Sequence, residues 1–247
     1  MMTDIHVLIP SYNCLEWIER CLDSLYSQTT QPVKVLVIDD ASTEEGYAEK
    51  ALEECQKHGY MYLRNDVNEK CPYNLWLGAK ILNPNPDDVI FLLDGDDFLP
   101  HENVLSRIQE VYQDPDVWMT YGNYVPYPKN TGQTLASAYP PKIIKNRDFR
   151  TGGNHFNHPI TFRRFLFDEI TEEDLKTNDG RWFRGGYDYA IIVPMLEMAT
   201  GEHYRFLNEV LYSYNAVNPI SDSKVNIDLI HETNQLVNRP KREVLNR

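Results

Sequence analysis

The chain has 247 residues, 42% of them hydrophobic, enough to bury a sizeable core as one large α/β domain or two small ones, which excludes a disordered or fibrous protein. Its 24 Lys and Arg face 37 Asp and Glu for a net charge of −13, a field that repels polyanions, so no nucleic-acid partner is expected. Four cysteines (Cys14, Cys21, Cys55, Cys71) form no C-x-x-C pair and no zinc-type cluster with histidine, and they read as reduced, mostly buried thiols in a reducing compartment.

The N-terminus, MMTDIHVLIPSYN, has no basic n-region and no long apolar h-region. No apolar run approaches the roughly 20 residues that cross a bilayer. These features predict a cytoplasmic protein without a transmembrane segment, whose membrane association, if any, is peripheral. A first strand is predicted over IHVLIP (5–10), followed by a helix over CLEWIERCLDSLYSQ (14–28), where Cys14, Leu15, Trp17, Ile18, Cys21, Leu22 and Leu25 share one face. VKVLVI (33–38) reads as a second strand. A second helix follows with Thr43 as N-cap, Glu44 and Glu45 in its first turn and Gly59 near its end. YMYLR (60–64) is a third strand, 72–82 is helical, and NPNPDD (83–88) breaks it. Val89 to Leu93 reads as a fully buried strand of a parallel sheet. Helix 102–113 and strand 117–121 complete a β/α alternation that predicts a doubly wound, mostly parallel sheet with right-handed crossovers.

The second half is less regular. Residues 121–160 hold Tyr121, Tyr124, Tyr127 and Tyr139, several prolines and TGGNHFNHP, which predicts loops and edge strands around a site. A helix over 188–199, a strand near 204–214 and a polar tail with a helix at 227–237 follow. The domain reading is one unit over 1–215, with a ligand-binding half to 125 and a second half over 126–215, then a tail over 216–247.

In an open α/β sheet, ligands bind beyond the carboxyl ends of the strands. Strand one ends in PSYN, without G-x-G-x-x-G, and nothing resembles G-x-x-x-x-G-K-[ST], so a phosphate ligand needs another counter-charge. Strand two ends in Asp39-Asp40 and strand four in Asp94-Gly95-Asp96-Asp97, which places up to five carboxylates at one edge of the sheet. Hard divalent cations take such oxygen ligands, and Mg²⁺ or Mn²⁺ commonly bridges a few carboxylates to a diphosphate. Asp-Gly is also a common turn pair, and Asp97 could cap the helix that follows.

VLIPSYNCLEWIERCLDSLYSQTTQPVKVLVIDDAS (7–42), followed by LLDGDDFLP (92–100), resembles the family 2 inverting glycosyltransferases of the GT-A fold. The likeness is good over roughly 5–125 and weaker to about 215. It implies a single GT-A-type, Rossmann-like domain that moves a sugar from a nucleotide-diphosphate donor, a UDP or dTDP sugar, to a hydroxyl of a glycan, glycolipid or glycoprotein acceptor with Mn²⁺ or Mg²⁺. In that resemblance Pro10, Ser11 and Tyr12 border the base, with the Tyr12 ring as a stacking face. Asp40 accepts from the base and Asp39 supports the turn or the ribose. Asp96 lies near ribose, diphosphate and metal, Asp97 is the metal ligand, and Asp94 supports them. Asp188, opening an apolar helix after two glycines in RGGYDYAIIVPML, is the catalytic base, although a lone Asp before a helix is commonly a cap. In NHPITFRR, His158 could reach the diphosphate or acceptor, and Arg163 and Arg164 could touch phosphate. The tyrosines of 121–139 either form part of an acceptor cleft or pack a sheet edge. Where the family carries a basic, glycine-containing segment, this chain has NEKCPYNLWLGAK, with Lys70, Asn74 and Lys80 as stand-ins. A sugar nucleotidylyltransferase, or a non-catalytic module binding nucleotide sugar or glycan, are the competing readings; the former is expected to carry a Gly- and Arg-rich loop where this chain has PSYNCLEW.

Overall fold

Strand and helix alternate through the first half of the chain: β1 (Ile5–Ser11), α1 (Ile18–Tyr26), β2 (Lys34–Asp39), α2 (Tyr47–His58), β3 (Met61–Arg64), α3 (Cys71–Leu82), β4 (Val89–Leu92) and α4 (Val104–Val111). The computed structural model describes residues 3–128, 136–220 and 229–247. Its later elements are β5 (Met119–Tyr127), α5 (Pro141–Asn146), β6 (Ile160–Arg163), α6 (Arg164–Asp168), a 3-10 turn over Glu173–Leu175, α7 (Tyr187–Ala199), β7 (Tyr204–Asn215) and α8 (Leu229–Val237). The first two residues of the helix predicted at 227–237 lie outside the described residues.

All seven strands form one sheet in the order β3-β2-β1-β4-β6-β5-β7. β1 pairs in parallel with β2 and β4, while β6 runs antiparallel to both β4 and β5, so a single reversed strand sits in an otherwise parallel sheet. The central strands are buried on both faces. Val7, Ile9, Val35, Val37 and Phe91 pack toward α1, α2 and α4. Leu8, Leu36, Ile38, Ile90 and Leu92 pack on the opposite face with α3 and α7. This alternation of side chains between two buried faces explains why the strands read as unbroken apolar runs.

Three element boundaries differ from expectation. α1 starts at Ile18 because Cys14 O accepts both Trp17 N–H and Ile18 N–H in a preceding turn, each at 3.0 Å. α2 starts at Tyr47 with Gly46 as its N-cap at φ 81°, and not at Thr43. The reason is a staple: Asn13 Oδ1 accepts from the main-chain N–H groups of Thr43 (2.7 Å) and Glu44 (3.0 Å), while Glu44 Oε2 accepts from Leu15 N–H at 3.0 Å. The β1–α1 and β2–α2 loops are thereby tied together before the helix can begin. β5 runs on to Tyr127, six residues beyond the expected 121, because β7 pairs with it in parallel as far as Asn215.

The later part of the segment read as a polar tail packs on α7. Leu236 of α8 is buried in the same core as α7. The Arg150 guanidinium donates to both carboxylate oxygens of fully buried Glu197 on α7, at 2.8 Å each, and to Leu236 O at 2.7 Å. No described helix is long and apolar enough to cross a membrane, and the four cysteines form no disulfide.

Candidate active site

The carboxyl ends of β1, β2 and β4, the start of β6 and the start of α7 converge on one cleft of about 670 Å³. The reversed direction of β6 is what brings His158 here: an antiparallel strand begins at the edge where its parallel neighbours end. Pro10, Ser11, Tyr12, Asp40, Asp94, Asp96, His158 and Asp188 all line the cleft. Tyr12 is 38% exposed at the mouth, so a ring face is open to a planar ligand. The Ser11 hydroxyl donates to Ile38 O at 3.1 Å, which commits that side chain to β2.

The two aspartates after β2 have separate tasks. Asp39 is fully buried beneath the cleft: Oδ1 accepts from Ser42 N–H (2.8 Å), and Oδ2 accepts from Tyr62 Oη (2.9 Å) and Arg64 Nη1 (2.6 Å). It therefore supports the turn and does not reach the cleft. Asp40 lines the cleft, and its carboxylate also organises the loop opposite. Oδ1 accepts from Asn65 Nδ2 and Glu69 N–H, and Oδ2 from Lys70 N–H, at 2.8 to 2.9 Å.

The acidic loop packs against β1 through Gly95. A Cβ at that position would lie 2.6 Å from Ser11 Cβ and 3.3 Å from Pro10 O, so only glycine lets the two loops approach. Gly95 N–H donates to Pro10 O at 3.1 Å. Asp94 and Asp96 face the cleft, whereas Asp97, expected as the metal ligand, is turned away and 1% exposed. The turn closed by Asp97 N–H to Asp94 O (3.0 Å) points its side chain back at β7, where Oδ1 accepts from Asn215 N–H at 2.6 Å. Burial first, then the charges of Asp96 and Asp94, hold its carboxyl well above the usual carboxylate range.

His158 is buried, with Nε2 3.7 Å from Asp94 Oδ2 and its ring stacked on Tyr212 at 4.7 Å. Burial lowers its pKa, and the charges of Asp188 and Asp96 oppose that shift. Asp188 is the second residue of α7, in the first turn, and the N-cap is Gly186 at φ 67°, a conformation that suits glycine. Asp188 is therefore not the N-cap residue itself, and it lines the cleft.

Other expected contacts lie elsewhere. Arg163 and Arg164 sit at the far end of β6 from His158. The Arg163 guanidinium donates to the carbonyls of Asp87, Tyr112, Asp114 and Val117, and that of Arg164 to Asp168 and Ala79 O. Tyr121 and Tyr139 are buried and meet edge to face at 6.0 Å, so they pack the sheet, and neither lines the cleft. Residues 129–135 of that tyrosine-rich stretch lie outside the described residues. Lys70 and Asn74 do line the cleft, while Lys80 lies over the Trp76 ring at 3.2 Å. Arg184, Tyr214 and Asn218 are also among its lining residues and carried no local sequence signal. Asn218 Nδ2 donates to Asp96 Oδ2 at 2.7 Å.

The donor set fits a hard divalent cation. Asp94 and Asp96 present two carboxylates to the cleft, hard oxygen donors of the kind that Mg²⁺ or Mn²⁺ takes. The cleft thus offers an aromatic face, a pair of carboxylates on the acidic loop, and a carboxylate at the start of a helix within one space.

A sequence model for "Glycosyl transferase family 2" matches residues 6–171. An uncharacterized glycosyltransferase of Haemophilus influenzae is 27% identical over 117 residues, covering 47% of this chain and 37% of the relative, so the chain spans well under half the length of that relative. In three dimensions, S. aureus TarS 1–349 in complex with UDP-GlcNAc superposes with a TM-score of 0.70 at 14% identity, over 95% of this chain and 65% of that one. The mannosyltransferase PcManGT from Pyrobaculum calidifontis, in complex with GDP-Man and Mn²⁺, gives a TM-score of 0.60 at 17% identity over 96% and 63%. Both structures share the fold.

Proposed function

The chain belongs to glycosyl transferase family 2, and on that footing we propose that it is a metal-dependent inverting glycosyltransferase using a UDP or dTDP sugar. Its acceptor would be a hydroxyl of a glycan, glycolipid or glycoprotein, and its role would be in polysaccharide or glycoconjugate assembly, in the cytoplasm. The observation that carries this reading is the meeting of Tyr12, Asp40, Asp94, Asp96 and Asp188 in a single cleft, contributed by four separate segments of the chain.

Each side chain then has a task. Tyr12 stacks on the base, and Asp40, already fixed by three donors, accepts from the N3–H of uracil or thymine. Asp94 and Asp96, with Asn218 orienting the latter, form a DXD-type pair that would hold Mn²⁺ or Mg²⁺ beside the ribose and diphosphate. The ion would supply positive charge toward the departing nucleoside diphosphate. Asp188 takes the proton of the acceptor hydroxyl while that oxygen bonds to the anomeric carbon. The bond from that carbon to the diphosphate oxygen breaks, and its electron pair leaves with the nucleotide.

A thermal-shift panel of UDP, dTDP, GDP and CDP, each with Mn²⁺, Mg²⁺ or EDTA, tests the donor site. A ligand at 100 times its Kd stabilises the fold by roughly 2.7 kcal/mol, a readable shift in melting temperature. The expected result is a metal-dependent shift with UDP or dTDP that disappears in Asp96→Ala. Equal shifts with metal and with EDTA, or none with any nucleotide, would sink the reading.

A further inference from the structure

We propose that Arg184, oriented by Glu232 of α8, is the cationic contact for the diphosphate of the donor; the assignment rests on the donor-cleft reading above. The cleft lining contains Asp40, Asp94, Asp96 and Asp188 against Lys70 and Arg184. An anionic diphosphate entering such a space needs local positive charge beyond a single divalent ion. The sequence supplies no glycine-rich phosphate cradle after β1, which raises the weight on side-chain cations.

Of the two cations, Arg184 is the one held in a fixed orientation. Its main-chain N–H donates to Glu232 Oε2 at 2.8 Å, and its Nε–H donates to Glu232 Oε1 at 3.0 Å. Both carboxylate oxygens of one side chain therefore grip the same residue from behind. The Glu232 side chain is 5% exposed, whereas that of Arg184 is 41% exposed at the cleft. The terminal Nη groups make no hydrogen bond or ion pair among the described residues. A guanidinium fixed through Nε with its Nη edge open presents the planar fork that binds phosphate oxygens in pairs. Lys70 differs: its main-chain N–H is committed to Asp40, and its ammonium is a point charge on a flexible stem.

Glu232 lies 48 positions beyond Arg184 and outside the stretch matched by the family model, so the contact is built by the C-terminal helix. Glu232 is a positioning residue and Arg184 the binding one.

The test is isothermal titration of UDP and of uridine, both with Mn²⁺ present, into the wild type, Arg184→Ala, Arg184→Gln and Glu232→Gln, after each variant's melting temperature confirms folding. Loss of a charge-assisted phosphate contact should weaken UDP about tenfold or more in Arg184→Ala and leave uridine unchanged. Arg184→Gln, which keeps most of the side-chain volume, should behave the same way. Glu232→Gln, which keeps the guanidinium but loosens its grip, should weaken UDP by a smaller factor, again with uridine unchanged. If the Arg184 variants bind UDP within twofold of a wild type that binds both ligands, the proposal falls and the donor site stands, with Arg184 reassigned to the acceptor. If uridine weakens in parallel with UDP, the effect is structural and the proposal also falls. If the wild type binds neither ligand, the donor site itself is overturned.

Discussion

Asp188 and His6 show how differently two single residues can matter. The N-cap of α7 is Gly186, and Asp188 is a first-turn residue of that helix that lines the cleft. Asp188→Asn preserves shape and removes the proton acceptor, so transfer to acceptor should fall by roughly 10²-fold or more, with the UDP-induced melting shift retained; assays of nucleotide release and thermal shift on one preparation check both. His6 is a packing residue on β1, 3% exposed, with neither ring nitrogen hydrogen-bonded and Asp88 Oδ2 3.5 Å from Nε2. Burial lowers its pKa below 6.5, and the Asp88 charge only partly opposes this. Because the unfolded chain then binds the proton more readily, stability from this group is complete above pH 6.5 and declines as the pH falls toward the folded pKa. Melting temperatures of wild type and His6→Gln between pH 7.5 and 5 should show the steeper acid loss in the wild type. DGDD was legible as a candidate site because acidic residues follow a buried apolar strand, and Asp94 and Asp96 do line the cleft. Which of its aspartates faces the cleft was not, since a turn reverses side-chain direction within two residues and Asp97 found its partner on β7, 118 positions away.

At the level of elements, β7 and the turn after it grip the acidic loop residue by residue. Tyr212 Oη accepts Asp94 N–H at 3.1 Å, Ser213 and Phe98 exchange main-chain hydrogen bonds, Asn215 N–H reaches Asp97, and Asn218 reaches Asp96. Tyr212→Phe deletes a fully buried acceptor and leaves the Asp94 N–H unsatisfied, a change that costs about 1–3 kcal/mol. Chemical denaturation should show that loss, and titration of Mn²⁺ with UDP should show weaker metal binding than in wild type, because the loop carrying Asp94 and Asp96 is no longer anchored. The elements β1 to β4 and their helices were readable because each is local, its apolar period visible within about ten residues. The places of β5, β6 and β7 were not, since their pairing joins segments tens of residues apart and reverses the direction of one strand. The start of α2 escaped for a similar reason: its determinant, Asn13, sits 30 residues before Thr43.

For the whole molecule, the ion pair between Arg150 and Glu197 joins the loop after α5, α7 and the C-terminal segment in one buried network, extended by Arg242 N–H to Glu197 Oε2 at 2.9 Å. Breaking a buried pair from one side leaves an uncompensated charge, so Glu197→Ala should destabilise the fold by about 3–5 kcal/mol. Urea unfolding would show it, and replacing Arg150 and Glu197 together by Met and Leu should recover most of the loss. Composition revealed a domain large enough for such a core but could not reveal that a polar C-terminal stretch would close it. The same arrangement bears on how the protein is made. The acidic loop leaves the ribosome about 120 residues before Asn218, on the order of 10 s earlier at ordinary elongation speeds. During that interval the nascent chain can form β1 to β4, but the acidic loop has neither its partner strand β7 nor the Asn218 contact. The cleft lined by Asp94 and Asp96 therefore takes its final form only after synthesis has passed Asn218, so its shape is set late in the chain's production.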